Sequence, residues 1–591
     1  MAQGVSPAAA EGEASRLRHR AALSRPRLPL AFDMSLLLWA GSALVLLFMV
    51  VVPLGWLLLS SFQDDLTGAL TAGNYVRAFT RQIYLNPIVN SFVLSLAVAT
   101  IAVAVGTPLA WLVARTDMPG RGLVRTLVMA AFVTPSFLGA IAWIFLAAPN
   151  SGWLNRLWIG AGAGSGPLFN VYSLPGAIFV IALYSIPYAF VFVSGTLDNM
   201  APELEDAATT LGSRALRTTL QVTLPLALPA IAAGFIMSFL EAVSLFGAPA
   251  FLLIPARQQV VTTQLYLFFT QFPPHANLAA AYAMPLLLVT IILLLVRQRL
   301  LGRRRFTTVT GKGGVRKPFR LGHWRWPALV LALIPPALSV FLPYGALLLV
   351  SLSHVWAKGP FTPGNLSLFW YRWALVDNPT AHAAIVHSLL YSAAAATIAG
   401  LVATVIAYAV IRRLLPAGQV LGFIAMAPFV VPGIVLAIGF FAAYSHPPIL
   451  LYGTAGILIA AFATRFLPIA YSNAGAILHA INPDLENAAR TLGAGRVHAM
   501  RAVTVPLLRA GLLSGWLLVF IPAIRELSAA VFLFTPSTTV MTTVIFDFSD
   551  AGNYEAVSTM GVLMMGATFV IVALARRLLG GDVARTRAAR A

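Results

Sequence analysis

A chain of 591 residues that is 59% hydrophobic and only 10% charged, with a mean hydropathy of +0.85, falls outside the soluble globular class and reads as a multi-span membrane protein. Its formal net charge of +20 is gathered in short basic runs between apolar segments, the bias of cytoplasmic loops, which argues against nucleic acid as a partner and for membrane lipid. Cysteine is absent, so disulfides, thiolate metal sites and thiol chemistry are excluded.

In chain order, residues 1–34 form a basic tail expected to be disordered and cytoplasmic. A hydrocarbon core of about 30 Å needs roughly 20 apolar residues per helix. Twelve segments meet that need: about 35–62, 90–115, 124–148, 174–197, 227–254 and 277–299, then 327–352, 384–411, 418–446, 451–477, 508–535 and 554–575. They divide the chain into a first six-span half at 35–299, a basic cytoplasmic linker at 300–326, a second half at 327–577 and a cytoplasmic tail at 578–591. The linker is strongly basic between 297 and 325 and carries no acid there, and Arg115, Arg121, Arg125, Arg412 and Arg413 fall on its side of the membrane. The opposite loops carry Asp64, Asp65, Asp547 and Asp550. Both termini are therefore expected in the cytoplasm.

The two halves repeat. Ser91, Pro135 and Ile141 match Ser388, Pro432 and Ile438 at an offset of 297, and Pro187, Gly234 and Phe251 match Pro468, Gly515 and Phe532 at 281. The duplication keeps the topology parallel, which implies a substrate route along the axis between the halves. Two polar islands between spans repeat as well. Glu205-Asp206-Ala207-Ala208-Thr209-Thr210-Leu211-Gly212 runs on to Leu224-Pro225, and Glu486-Asn487-Ala488-Ala489-Arg490-Thr491-Leu492-Gly493 runs on to Val505-Pro506. The glycine-to-proline spacing is thirteen in both. In the second copy Asn482-Pro483 supplies a helix start, Asp484 and Glu486 put negative charge at the positive helix end, and Gly493 supplies a left-handed stop. The first copy has Pro202, Glu203 and Gly212 in these roles. A polar helix–turn–helix kept twice predicts a docking surface for a soluble partner.

These islands resemble the cytoplasmic EAA loop of ABC-importer permeases, in which Glu-Ala-Ala is followed by glycine and later by Leu-Pro. The resemblance covers nearly all of residues 35–577. It implies an all-α polytopic fold of the type I importer class, with twelve transmembrane helices as two parallel six-helix repeats in a bacterial inner membrane. It also implies that each loop forms a coupling helix seated in an ATP-binding subunit. The docking residues are then Glu205, Asp206, Ala207, Gly212 and Pro225, and Glu486, Asn487, Ala488, Gly493 and Pro506. The family's glutamate, six before the glycine, falls on Asp206 and Asn487, so the second copy has lost the charge. Two copies of an ATP-binding subunit and an external substrate-binding protein are the implied partners. ATP and magnesium would sit on the partner, leaving this chain without cofactor or enzymatic activity. The fused form is most similar to ferric-iron importers. Related branches import thiamine, phosphonates or polyamines, and an ion-gradient-driven secondary transporter is the alternative outside the family.

The residues agree with an energy source supplied by another chain: Gly311-Lys312-Gly313-Gly314 lacks the frame of a phosphate-binding loop. Nine histidines are scattered with none at a helical i,i+4 spacing, so no metal cage is expected. Ionisable residues inside spans are few and costly, which makes Glu241, Arg465, Arg525 and Glu526, with Ser238 and Ser244 on the fifth span, the candidates for lining a route. The plain alternative is that Arg525 and Glu526 pair with each other or with Arg465 and only fix packing. Thr262-Thr263 and Thr542-Thr543 are expected to cap re-entrant turns, with a place in an external gate as the alternative.

Overall fold

The computed structural model describes residues 34–201, 203–302, 318–359, 362–414 and 418–588. The basic tail up to residue 33, Pro202, residues 303–317 of the linker and the last three residues lie outside them. Among the described residues the structure is helical, with three isolated β-bridges and no strand. Nine helices among the described residues are long and apolar enough to cross a membrane: Trp39–Ser61, Gln82–Arg115, Leu174–Asn199, Leu216–Ser244, Ala276–Leu300, Gly322–Ser351, Pro379–Ile411, Ala455–Ala480 and Tyr554–Ala575. Three further pairs among the described residues, each bent at a short break, bring the number to twelve where each pair counts as one span.

Three expected spans are not straight: the eleventh bends by 53° between Met500–Arg509 and Gly511–Ile524, and two others bend more sharply. The third breaks into Arg121–Val133 and Ser136–Ala147 at 99°, and the ninth into Gly418–Phe429 and Gly433–Tyr444 at 111°. Pro135 and Pro432 sit at the breaks with extended backbone, ψ 127° and 144°. A proline cannot donate to the turn before it and pushes its predecessor out of the helical region. The stretches 227–254 and 508–535 also overran. The fifth helix stops at Ser244 and a separate short helix follows at Gly247–Leu253, while in the second half Val505–Ile524 is followed by Ala530–Leu533. The last helix continues from Tyr554 to Ala588, through part of the segment expected to be a tail.

Within each half the second, fourth and fifth spans pack on one another, as do the eighth, tenth and eleventh. Close approach needs small residues. A Cβ on Gly106 would lie 2.9 Å from the Ala189 Cβ, and one on Gly234 would lie 2.9 Å from the Ala189 Cα, so the fourth span is wedged against both neighbours. The repeat reaches single hydrogen bonds. Ser91 Oγ accepts the Val261 N–H and Ser388 Oγ accepts the Met541 N–H, each at 2.7 Å. Thr263 and Thr543 each accept the N–H of the valine three residues earlier, at 2.9 and 3.1 Å, so these threonines cap helices.

The halves are crossed. The first span packs on Gly433–Tyr444 of the second half, and the seventh span packs on Ser136–Ala147 of the first. At the first crossing the Tyr444 hydroxyl donates to the Phe48 carbonyl, and a Cβ on Gly439 would meet the Pro53 carbonyl oxygen at 2.7 Å. At the second, Thr134 and Tyr344 share a 2.6 Å hydrogen bond.

Candidate coupling helices and central charged layer

The two polar islands fold alike. Glu203–Thr210 and Asp484–Thr491 are two-turn helices with three and two acids respectively in their first turns. Asn482 Oδ1 accepts the Asp484 N–H at 3.0 Å, so the asparagine caps the second copy's start. Gly212 and Gly493 end the helices at φ +83° and +92°, a region closed to most side chains. The bond pattern of the stop is the same in both: Ser213 N–H to Ala208 carbonyl at 3.0 Å, and Ala494 N–H to Ala489 carbonyl at 3.1 Å. That is the six-to-one bond of a Schellman stop. A second short helix and a π-turn, Thr219–Thr223 or Met500–Thr504, then lead into the bundle.

The glutamates turn inward. Glu205 is 7% exposed and Glu486 8%, in loops whose other polar residues are mostly exposed. Glu205 Oε2 lies 3.1 Å from Arg115 Nη1, and its other oxygen accepts the Thr223 hydroxyl at 2.7 Å. Glu486 repeats this with Arg412 Nη2 at 3.3 Å and the Thr504 hydroxyl, and also accepts the Tyr408 hydroxyl at 3.0 Å. The expectation that these two carboxylates face a partner is therefore corrected: a buried carboxylate is satisfied by internal partners and is closed to outside ones. Asp206, Ala207, Gly212 and Pro225, and Asn487, Ala488, Gly493 and Pro506, are exposed. So are two leucines that sequence reasoning passed over, Leu211 at 88% and Leu492 at 89%. Arg115 and Arg412 had been read only as orientation charges, and Thr223 and Thr504 were not singled out. Their signal was present, since these pairs obey the repeat offsets of 297 and 281.

The intramembrane charges gather in one layer between the halves. Arg465 Nε donates to Glu526 Oε2 at 2.9 Å, and Glu526 Oε1 accepts the Ala529 N–H at 3.0 Å. Arg525 does not pair with its neighbour; it donates to the carbonyls of Phe132 and Val133, which the break before Pro135 leaves without helical donors. Arg465 lies flat on the other break, where a Cβ on Gly433 would come 2.5 Å from its Cζ. Glu241 comes from the first half and lies beside the Tyr188 phenol and both arginines. Two guanidinium and two carboxylate groups thus balance in a layer drawn from both halves. Ser244 donates back to the Leu240 carbonyl at 2.7 Å and sits one turn from Glu241. Ser238 is fully buried and directed at the Ser185 carbonyl, 3.4 Å away, which makes it a packing contact and not a route-lining oxygen.

Away from the polar islands, Asp64 accepts the Leu66 and Thr67 N–H groups, and these bonds hold its carboxyl below the usual carboxylate range. Asp547 is pushed upward instead, first by burial and then by the neighbouring Asp550.

The family described as binding-protein-dependent transport system inner membrane component matches residues 106–306 and again 395–585, once in each half. The chain belongs to this family. It is a fused, two-half permease and a multi-pass inner-membrane protein of the type I importer fold. A ferric transport system permease protein of Actinobacillus pleuropneumoniae is 25% identical to this permease over 533 residues, covering 90% of this chain and 76% of the relative. A putative ferric transport system permease protein of Haemophilus influenzae is 25% identical over 504 residues, covering 84% and 77%. A putative 2-aminoethylphosphonate transport system permease protein of Salmonella paratyphi A is 27% identical over 238 residues, covering 40% of this chain and 88% of the relative.

Proposed function

We propose that this permease carries ferric iron into the cytoplasm, receiving it from an external binding protein and taking its motion from two ATP-binding subunits docked on Glu203–Thr210 and Asp484–Thr491. The observation that carries this reading is the pair of polar helix–turn–helices, equal in backbone and in exposed leucines, at the end of the bundle that holds the basic linker. That end is the cytoplasmic one by the positive-inside rule. Leu211 and Leu492 then supply the apolar part of each contact, with Asp206 and Asn487 beside them.

Closure of the ATPase pair moves the two coupling helices together, and the halves swing between inward and outward access. The central layer closes the route in the conformation described here. Opening the route separates Arg525 from the Val133 carbonyl and exposes Glu241 and Glu526, two carboxylates of the hard-oxygen type that a ferric ion prefers. The iron reading is supported by relatives that match both halves, whereas the phosphonate relative matches a single half-length of chain.

The test is uptake of labelled ferric iron into proteoliposomes holding the permease and its ATPase subunits, with iron-loaded binding protein outside. Uptake is expected to require internal ATP and to ignore an imposed ion gradient. Uptake that runs without ATP and collapses with the gradient would establish a secondary transporter. ATP-dependent uptake of thiamine, a phosphonate or a polyamine in place of iron would keep the architecture and replace the cargo.

A further inference from the structure

We infer that Arg115–Glu205–Thr223 and Arg412–Glu486–Thr504 are two positioning clamps that fasten each coupling helix to the second and fifth spans of its own half, so that displacement of the helix moves the bundle. This rests on the docking reading above and adds to it the part that carries motion inward.

The geometry is specific. Each glutamate is held by two elements that lie outside its own helix. The arginine is the last residue of the second span in one half and the first after the eighth span in the other. The threonine closes the π-turn that opens the fifth or eleventh span, where the N–H of Leu224 reaches the Thr219 carbonyl and that of Val505 reaches the Met500 carbonyl. A π-turn inserts one extra residue into a helix and is frequent at functional sites. Here it lets the threonine hydroxyl reach the carboxylate.

The two copies also separate the docking face from the clamp. On the exposed face the residue beside the glutamate is Asp206 in one copy and Asn487 in the other, whereas the inward arginine, glutamate and threonine are the same in both. A solvent-exposed ion pair would be loose and screened. These pairs are buried, and breaking one leaves an uncompensated charge, so the joint resists bending. The first clamp is tied further: the Arg115 carbonyl accepts the Phe319 N–H at 2.8 Å, which attaches the end of the basic linker to the same joint.

The experiment uses the assembled transporter and reads three quantities: ATPase subunits retained on purification, ATP hydrolysis, and iron taken up per ATP. For Glu205→Gln combined with Glu486→Gln, retention and hydrolysis are expected to persist while uptake per ATP falls at least about fivefold, the low end of typical coupling between sites. Unchanged uptake per ATP overturns the clamp. Loss of the ATPase subunits from this variant also overturns it, because the glutamates would then belong to the docking face. If the unmodified transporter fails to retain the ATPase subunits, the docking reading itself has failed, which is a separate result.

A mechanical role makes one more demand. The chain has no cysteine, so Arg115→Cys with Glu205→Cys gives a single addressable pair. A bifunctional thiol reagent that bridges the two shortened side chains is expected to restore uptake per ATP lost in that variant. A bridged variant that stays uncoupled overturns the tether. This second variant also decides the question if the double glutamine variant fails to accumulate in the membrane.

Discussion

Arg525 and Glu526 are adjacent in sequence and part company in space. Successive helical residues point about 100° apart, and Arg525 already sits at the helix end with ψ 9°. Glu526 therefore turns to Arg465, and Arg525 reaches the broken third span. Replacing Glu526 with glutamine leaves the Arg465 guanidinium in a low-dielectric layer without its carboxylate. Removing one partner of a buried pair costs about 3–5 kcal/mol. The expected result is a clear drop in the thermal unfolding midpoint of purified Glu526→Gln, with the Arg465→Met, Glu526→Leu double variant recovering most of it; an unchanged midpoint in the single variant would show that the pair contributes nothing. Asp547 gives a pH test with a definite sign. Its folded carboxyl titrates above the ordinary value, so between the two values the folded state binds more protons, and stability falls as pH rises through that window. Asp547→Asn is accordingly expected to raise the unfolding midpoint at neutral pH and to leave it unchanged in acid below the ordinary carboxylate range.

At the scale of elements, the two polar helix–turn–helices were legible and the broken spans were not. Asn482-Pro483, the acidic first turn and Gly493 are local signals, and each does locally what its chemistry requires. Proline alone does not mark a break: Pro187 and Pro468 lie inside continuous helices while Pro135 and Pro432 stand in the breaks, just before the next helix starts. What differs is the partner. The carbonyls freed before Pro135 are met by Arg525, some 390 residues away in sequence, and Arg465 covers Gly433 at the other break. Nothing within a window of twenty residues encodes that. The inward turn of Glu205 and Glu486 was hidden for the same reason, since their arginines lie on another span.

The coupling helices also carry a prediction at this scale. Leu211 and Leu492 project into solvent, so charging them costs the fold little, within about 0.5 kcal/mol for a surface site. Burying a leucine in a partner is worth about 1.5–3 kcal/mol. Leu211→Glu with Leu492→Glu is therefore expected to leave the unfolding midpoint of the isolated permease unchanged and to strip the ATPase subunits from it on purification. Gly212→Val with Gly493→Val is expected to weaken the same contact by another path. A Cβ at either glycine meets nothing within 4 Å, but a β-branched residue is strained at these positive φ angles. Retention of the ATPase subunits by both double variants would remove the helices from the docking surface.

At the scale of the molecule, the duplication could be read from residue offsets, but the crossing of the halves could not. A first span preceding five others packs equally well, by pattern alone, on its own half or on the other, because the apolar faces of repeated halves are alike. The structure chooses the crossed arrangement, and the choice has a consequence for the fused chain. Contacts between halves do not depend on the linker. The first span meets Gly433–Tyr444 through the Tyr444–Phe48 hydrogen bond, the seventh meets Ser136–Ala147, the Phe145 and Trp356 rings meet at a tilt of 51° with centroids 5.3 Å apart, and Arg525 binds the third span. Bilayer helices associate through such packing and hydrogen bonds, so a covalent bridge adds effective concentration and no specificity. Cutting the chain between residues 303 and 317 and expressing the pieces together is expected to give halves that co-purify through a tag on either one and retain ATP-dependent uptake. If the severed halves separate in mild detergent, the linker, and not the crossed spans, holds this permease together.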